Sequence, residues 1–254
     1  MKKLALFALA AVYALSGFGW GATGHRATGL IAEQYLDAKA KKKINELLKG
    51  ESLAMASNWM DEIKSDSTYD FMNDWHWVTI ESSQTYEQSK KNPNGDLIKT
   101  LERIISELKK HQLGAKKEME YLKILVHLVG DIHQPFHVGC CDDQGGTKVK
   151  VKWFRNESNL HKVWDSEMID ESRLSYTELA QALGKPDKNT IAAWQKTSIR
   201  DWANESMTFR KQIYAIGDGT LGYKYSYRNF GTVNERMLKA GVRLAGLLND
   251  IYGR

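Results

Sequence analysis

Five of the seven histidines lie near carboxylates at spacings that suit metal binding. His127 and Asp131 are four apart in a run with helical apolar spacing, so they share a face. His161 and Asp165, in "NLHKVWDSEMI", repeat that spacing. His137 follows His127 in the same segment, just beyond Pro135. Asp61 lies in "SNWMDEIK", His76 in "NDWHWVTI" and His25 in "WGATGH". Imidazole and carboxylate together suit zinc, at roughly four ligands per ion. A single H-x-x-x-D pair arises often as a surface hydrogen bond. Two such pairs, three more histidines and another aspartate are too many donors for one ion, so several zinc ions are expected.

Trp20 raises a separate question, because it sits between glycines in "GFGWGATGH". Residues 1–19 read as a secretory signal. Lys2 and Lys3 form a basic start, Leu4 to Leu15 an apolar block, and Ser16, Gly17 and Gly19 a small-residue processing site. That block is too short to span a bilayer comfortably. No later stretch approaches spanning length, so a secreted or periplasmic protein without stable membrane association is expected. Removing 19 of the 254 residues leaves 235, which suits one large domain or two small ones. The formal charge of +5 falls to +3 without Lys2 and Lys3, a mild basicity compatible with a polyanionic partner. A new N-terminus at Trp20 would carry an amine with a pKa of about 7.7–8.0. Deprotonated, that amine can bind a metal, and the Trp20 carbonyl can close a chelate beside His25. Trp20 as an ordinary packed aromatic is the other reading, and chemistry alone leaves both open.

Helices must position these groups. "RATGLIAEQYLDAKAKKKINELLKG" has helical apolar spacing with Gly50 as its stop. "ESLAMASNWMDEIK" reads as a further helix, and residues 71–80 as extended or irregular chain. "DLIKTLERIISELKKH" is amphipathic, and "KEMEYLKILVHLVGDIHQPFHVG" is a long buried helix interrupted near Pro135. "GGTKVKVKWF" alternates from Lys148 to Phe154 as a strand or hairpin arm. "NTIAAWQKTSIRDWANESMTFRKQIYAI" and "NERMLKAGVRLAGLLNDIY" read as two more long helices. Without repeats or linkers, residues 20–254 form one mainly α-helical domain with a small β-hairpin. Cys140 and Cys141 are adjacent, too close for an ordinary disulfide. A vicinal bridge and two free thiols both stay open. Stability must then come from a large core or from metal ions.

In order along the chain, "WGATGH", "NWMDEIK", "WHWV", "HLVGDIHQPFHVG", "GG", "NLHKVWD" and "AGVRLAGLLN" resemble the zinc-dependent, single-strand-specific nucleases of the S1/P1 type. Their superfamily includes bacterial zinc phospholipase C. The resemblance implies the mainly α fold of that superfamily and three zinc ions in a cleft. By that resemblance Asp61, His76, His127 and Asp131 hold the first ion. Asp131 bridges to a second, held by the amine and carbonyl of Trp20 and by His25. His137, His161 and Asp165 hold the third. His133 then falls outside the ligand set as a structural group, and His111 as a solvated one.

The implied activity is hydrolysis of single-stranded DNA and RNA to 5′-phosphorylated products, with removal of 3′-phosphates from nucleotides. Asp131 and Lys64 are the candidate catalytic residues, Lys64 as a phosphate contact; its alternative is a solvated helix charge. Trp77 is the candidate stacking platform for an unpaired base, worth about 1–3 kcal/mol per base; its alternative is a core tryptophan. Thr79 stands where the mould enzymes carry an aspartate near the base, so base preference is not carried over. Thr147 replaces a frequent asparagine after "GG". Single-stranded nucleic acid and nucleotides are the expected substrates, and a monomer is expected. A zinc phospholipase C is the first rival, disfavoured by the short Trp20-to-His25 gap and by Asp165 in place of glutamate. A non-catalytic, zinc-stabilised polyanion-binding protein is the second, with Lys41 to Lys43 as its basic run.

Overall fold

The computed structural model describes residues 20–253, and the signal segment expected over residues 1–19 lies outside them. Helices dominate. The first sequence run divides into α1 (Ala22–Glu33) and α2 (Ala38–Leu47). It divides because Asp37 caps α2, its carboxylate accepting from Ala40 N at 2.7 Å. "ESLAMASNWMDEIK" also divides, into α3 (Leu53–Ala56), α4 (Trp59–Glu62) and a 3-10 turn. Ser57 interrupts it by donating to Ala54 O at 2.7 Å. Residues 71–76 are not extended: a 3-10 run, Ser67–His76, precedes strand β1 (Val78–Thr79).

Helix α5 (Leu97–Lys109) is capped by Asp96, and α6 (Ala115–His133) forms the spine of the domain. Helix α6 stops where expected. Gln134 takes an extended ψ of 116° because the ring of Pro135 disfavours a helical residue before it. A 3-10 turn, Pro135–His137, leads into β2 (Val138–Gly139), which pairs parallel to β1. The hairpin is present as β3 (Lys150–Trp153) and β4 (Asn156–Asn159), with β5 (Thr220–Leu221) added parallel to β3.

Beyond the hairpin come α7 (Leu160–Lys162), a π turn over Val163–Glu167, α8 (Met168–Glu171) and α9 (Tyr176–Ala182). The next expected long helix is three: α10 (Lys188–Gln195), α11 (Ile199–Thr208) and α12 (Arg210–Ile213). Ser198 makes the first break by forming a capping box with Asp201. The last helix, α13 (Tyr223–Tyr252), runs 30 residues, longer than its apolar pattern alone suggested. It packs along α1 and α6. One apolar cluster gathers Leu101, Ile104, Leu125, Leu128 and Leu248. A second gathers Trp20, Phe136, Trp153, Trp164 and Met237. Helices α1 and α13 contribute to both.

Candidate metal centre and substrate cleft

The candidate ligands converge although they come from six parts of the chain. Helix α1 brings His25, α4 Asp61, the end of the 3-10 run His76, α6 both His127 and Asp131, and the turn after it His137. Helix α7 and its π turn bring His161 and Asp165. Three groups have donor atoms within 4.8 Å of one another: His25 with His127 and Asp131, Asp61 with His76 and His127, and His137 with His161 and Asp165.

Asp131 is fully buried and faces two ways. One carboxylate oxygen lies 3.3 Å from His25 Nε2. The other lies 3.0 Å from His76 Nδ1 and 3.3 Å from His127 Nε2. Asp61 reaches His127 Nε2 at 3.8 Å. In the third group Asp165 stands 2.9 Å from His161 Nε2 and 3.6 Å from His137 Nε2. The π turn sets that pairing, a local widening common at functional sites that four-residue spacing does not reveal.

Backbone carbonyls orient three of the rings. His127 Nδ1 donates to Ser57 O at 2.7 Å, His137 Nδ1 to His76 O at 2.6 Å, and His161 Nδ1 to Gly145 O at 2.6 Å. Each Nε2 is thereby turned into the cluster, the arrangement that second-layer partners impose on ligand histidines.

Burial and charge shape the titration of the cluster. Burial pulls His76 down to about 4 against the pull of Asp131. Burial also lowers His137, but Asp131 and Asp165 outweigh it and push the ring up to about 9. Burial raises Asp165, yet His161 and His137 hold it at about 2. Burial raises Asp131 as well, and His127 and His137 overcome it, keeping the carboxylate charged.

The residues fit zinc. His25 Nε2, His137 Nε2 and the Asp131 oxygen that faces His25 are buried and make no hydrogen bond. Buried polar atoms are rarely left so, and a cation satisfies nitrogen and carboxylate donors together.

Two glycines make the approach possible. A Cβ at Gly130 would lie 2.8 Å from His25 Nδ1. A Cβ at Gly145 would lie 2.4 Å from Phe136 O, and its φ of +58° suits glycine. Gly145 is the residue whose carbonyl orients His161.

Trp20 is fully buried, packed beside Gly24 and near Gly130. Gly21 N donates to Asp165 O at 2.6 Å, so the segment is tied to the third group. The Lys64 ammonium sits at the edge, 2.5 Å from Asp61. Trp77 walls a cavity of about 260 Å³ with Thr79, Cys141, Gln144, His137 and His161. Cys140 and Cys141 are free thiols, the first buried and the second exposed. His111 is exposed on the surface. His133 points away from the cluster, as its two-residue offset from Asp131 implies. Its Nδ1 donates to Val129 O at 2.8 Å and its Nε2 accepts from Arg243 at 2.9 Å. Burial, with Arg236 and Arg243, keeps it neutral.

Three supporting residues escaped the sequence reading. Gln134, fully buried, donates to Asp165 and accepts from Phe136 N at 2.6 Å. Arg210 donates to Ile80 O, Val138 O and Gly139 O at 2.8–3.0 Å, tying β1 to β2. Arg236 donates to His133 O at 3.0 Å, at the end of α6, and is itself held by Glu205. Only the "HQP" turn carried a local signal, because a polar residue before proline commonly caps the turn that follows.

The sequence profile of the S1/P1 Nuclease family matches residues 20–253. The chain belongs to the S1/P1 nuclease family. S1/P1 membership makes it a zinc-dependent endonuclease, a hydrolase of phosphodiester bonds with nucleic acid as substrate. Endonuclease 3 of Arabidopsis thaliana is 31% identical over 262 residues, covering 92% of this chain and 89% of the plant enzyme. Nuclease P1 of Penicillium citrinum is 26% identical, covering 92% and 98%. Nuclease S1 of Aspergillus oryzae is 24% identical, covering 92% of each. Among the described residues no helix is long and apolar enough to cross a membrane.

Proposed function

We propose that this S1/P1 nuclease is a trinuclear zinc phosphodiesterase that cuts single-stranded DNA and RNA to 5′-phosphorylated products and removes 3′-phosphates from nucleotides. The observation that carries the reading is Asp131. Its two oxygens address different histidines, as a carboxylate shared by two ions would. Asp61, His76 and His127 complete the first ligand set. His25 completes the second with the amine and carbonyl of Trp20, and His137, His161 and Asp165 make the third. Bound zinc supplies Lewis acidity toward the phosphate and toward the attacking water.

The remaining work belongs to the chain. The buried carboxylates of Asp131 and Asp165 hold His127 and His161 in place within the cluster. Lys64, poised on Asp61 at the rim, takes a phosphate oxygen. Trp77 stacks against an unpaired base in the cavity beside His137 and His161, which a base held in a duplex cannot enter. That base belongs to the nucleoside that gives up its 3′ oxygen. Export with cleavage after Gly19, action as a monomer and freedom from the membrane complete the proposal. The family match beginning at residue 20 supports the cleavage position.

The test is digestion of circular single-stranded DNA by protein beginning at Trp20, before chelation, after chelation and after zinc is restored. Cleavage that disappears and returns is expected. No cleavage by fully zinc-loaded protein would overturn the reading in favour of a polyanion-binding role.

A further inference from the structure

Trp77, Val78 and Thr79 line two cavities. The first cavity adjoins His137 and His161. The second, about 670 Å³, opens over the segment from Glu81 to Asp96 and shares those three residues. The two cavities are therefore adjacent, and His137 and His161 line the first alone.

The chemistry of the second cavity differs from that of the first. Lys90 and Lys91 line it, with the amides of Gln84, Gln88 and Asn92. Lys91 Nζ bonds Tyr86 O, lies 3.1 Å from both Ser89 O and Oγ, and sits 3.8 Å over the Tyr86 ring. These partners orient the ammonium without cancelling its charge. Lys90 is exposed. Two acids also line it: Glu81 is exposed to water, and the buried Asp96 is already engaged, accepting from Tyr86 Oη at 3.0 Å and capping α5 through Lys99 N at 2.9 Å. The exposed Lys90 ammonium, the fixed charge of Lys91 and several amide donors beside the substrate cleft suit a phosphodiester oxygen, which recruits donors of this kind whatever the base.

We propose that this second cavity is a subsite for the phosphate on the 5′ side of the nucleotide whose base fills the first cavity, with Lys90 as its donor and Lys91 as a fixed positive charge beside it. Within one nucleotide the 3′ oxygen and the 5′ phosphate point to opposite ends. With the 3′ oxygen toward His137 and His161, the 5′ phosphate passes the Trp77–Thr79 wall. The subsite rests on the nuclease reading and extends it to longer strands.

Its test uses zinc-loaded protein and two substrates, a dinucleoside monophosphate and the same compound bearing a 5′-phosphate. The 5′-phosphate should raise kcat/KM about tenfold in the wild type, as one contact to a charged group does. The ratio between the substrates should fall to about one in Lys90→Gln and be kept in Lys90→Arg. A wild-type ratio near one, or a Lys90→Gln ratio equal to the wild type's, overturns the subsite alone. Failure of the wild type to cut either substrate overturns the nuclease reading and the subsite with it.

Discussion

At the scale of single residues, the centre depends on a few groups that have no room to move. Asp131 is surrounded by His25, His76 and His127 within 3.3 Å, so its removal disturbs two candidate ligand sets together. Asp131→Ala should abolish cleavage and release two ions, read by metal analysis beside the digestion assay; full zinc content would refute the shared role. Gly130→Ala would put a methyl 2.8 Å from the buried His25 ring. It should cost about 1–3 kcal/mol through overpacking and weaken zinc at His25, measured by urea melts with and without chelator. Adding one residue before Trp20 should impair activity, because a chelate through the amine requires a free terminus. Unchanged activity in that extended protein would make Trp20 structural only. The donors were legible in the sequence because nitrogen and carboxylate chemistry is carried by residue type, and spacing put His127 with Asp131. Gln134 and Arg210 were not, because each acts on backbone atoms brought near only by the fold.

At the scale of elements, Arg210 serves as a staple. It holds the carbonyls of Ile80, Val138 and Gly139 and so fixes β1, which follows Trp77, against β2, which follows His137. Arg210→Ala should destabilise the protein by about 1–3 kcal/mol, the cost of leaving buried carbonyls unmet. It should also raise KM for dinucleotides by moving Trp77 relative to His137. A raised KM with zinc content intact would separate this effect from metal loss. Element boundaries were the less legible part of the sequence. Apolar periodicity continues through residues 34–37 and through Thr197, but Asp37 and Ser198 offer side-chain acceptors to the backbone and restart the helix. The π turn was hidden for a related reason, since one extra residue in a turn leaves the His161-to-Asp165 spacing readable as ordinary helix.

At the scale of the whole molecule, α13 carries none of the candidate ligands yet braces the helix that carries two. Arg236 is fully buried and reaches His133 O, while Arg243 meets His133 Nε2, and both are paired with Glu205 of α11. Glu205→Gln should cost roughly 2–3 kcal/mol, below the range for a fully buried pair because Glu205 keeps contact with water. Burial raises the pKa of Glu205, but Arg243 and Arg236 outweigh it and hold it at about 2, below its ordinary 4.5. A depressed carboxylate stabilises the fold above its unfolded pKa and loses that contribution as pH falls toward the folded one. The stability gap between wild type and Glu205→Gln should therefore be full above about pH 4.5 and close toward pH 2, followed by urea midpoints at each pH. The same division of labour bears on how the polypeptide tolerates being severed. Gly184, Lys185 and Asp187 lie exposed between α9 and α10, where a protease can bind extended chain. A nick there leaves every candidate ligand on the N-terminal fragment and α13 on the other, still gripping α1 and α6. The two fragments should migrate apart on a denaturing gel, elute together under native conditions and retain nuclease activity as a non-covalent pair.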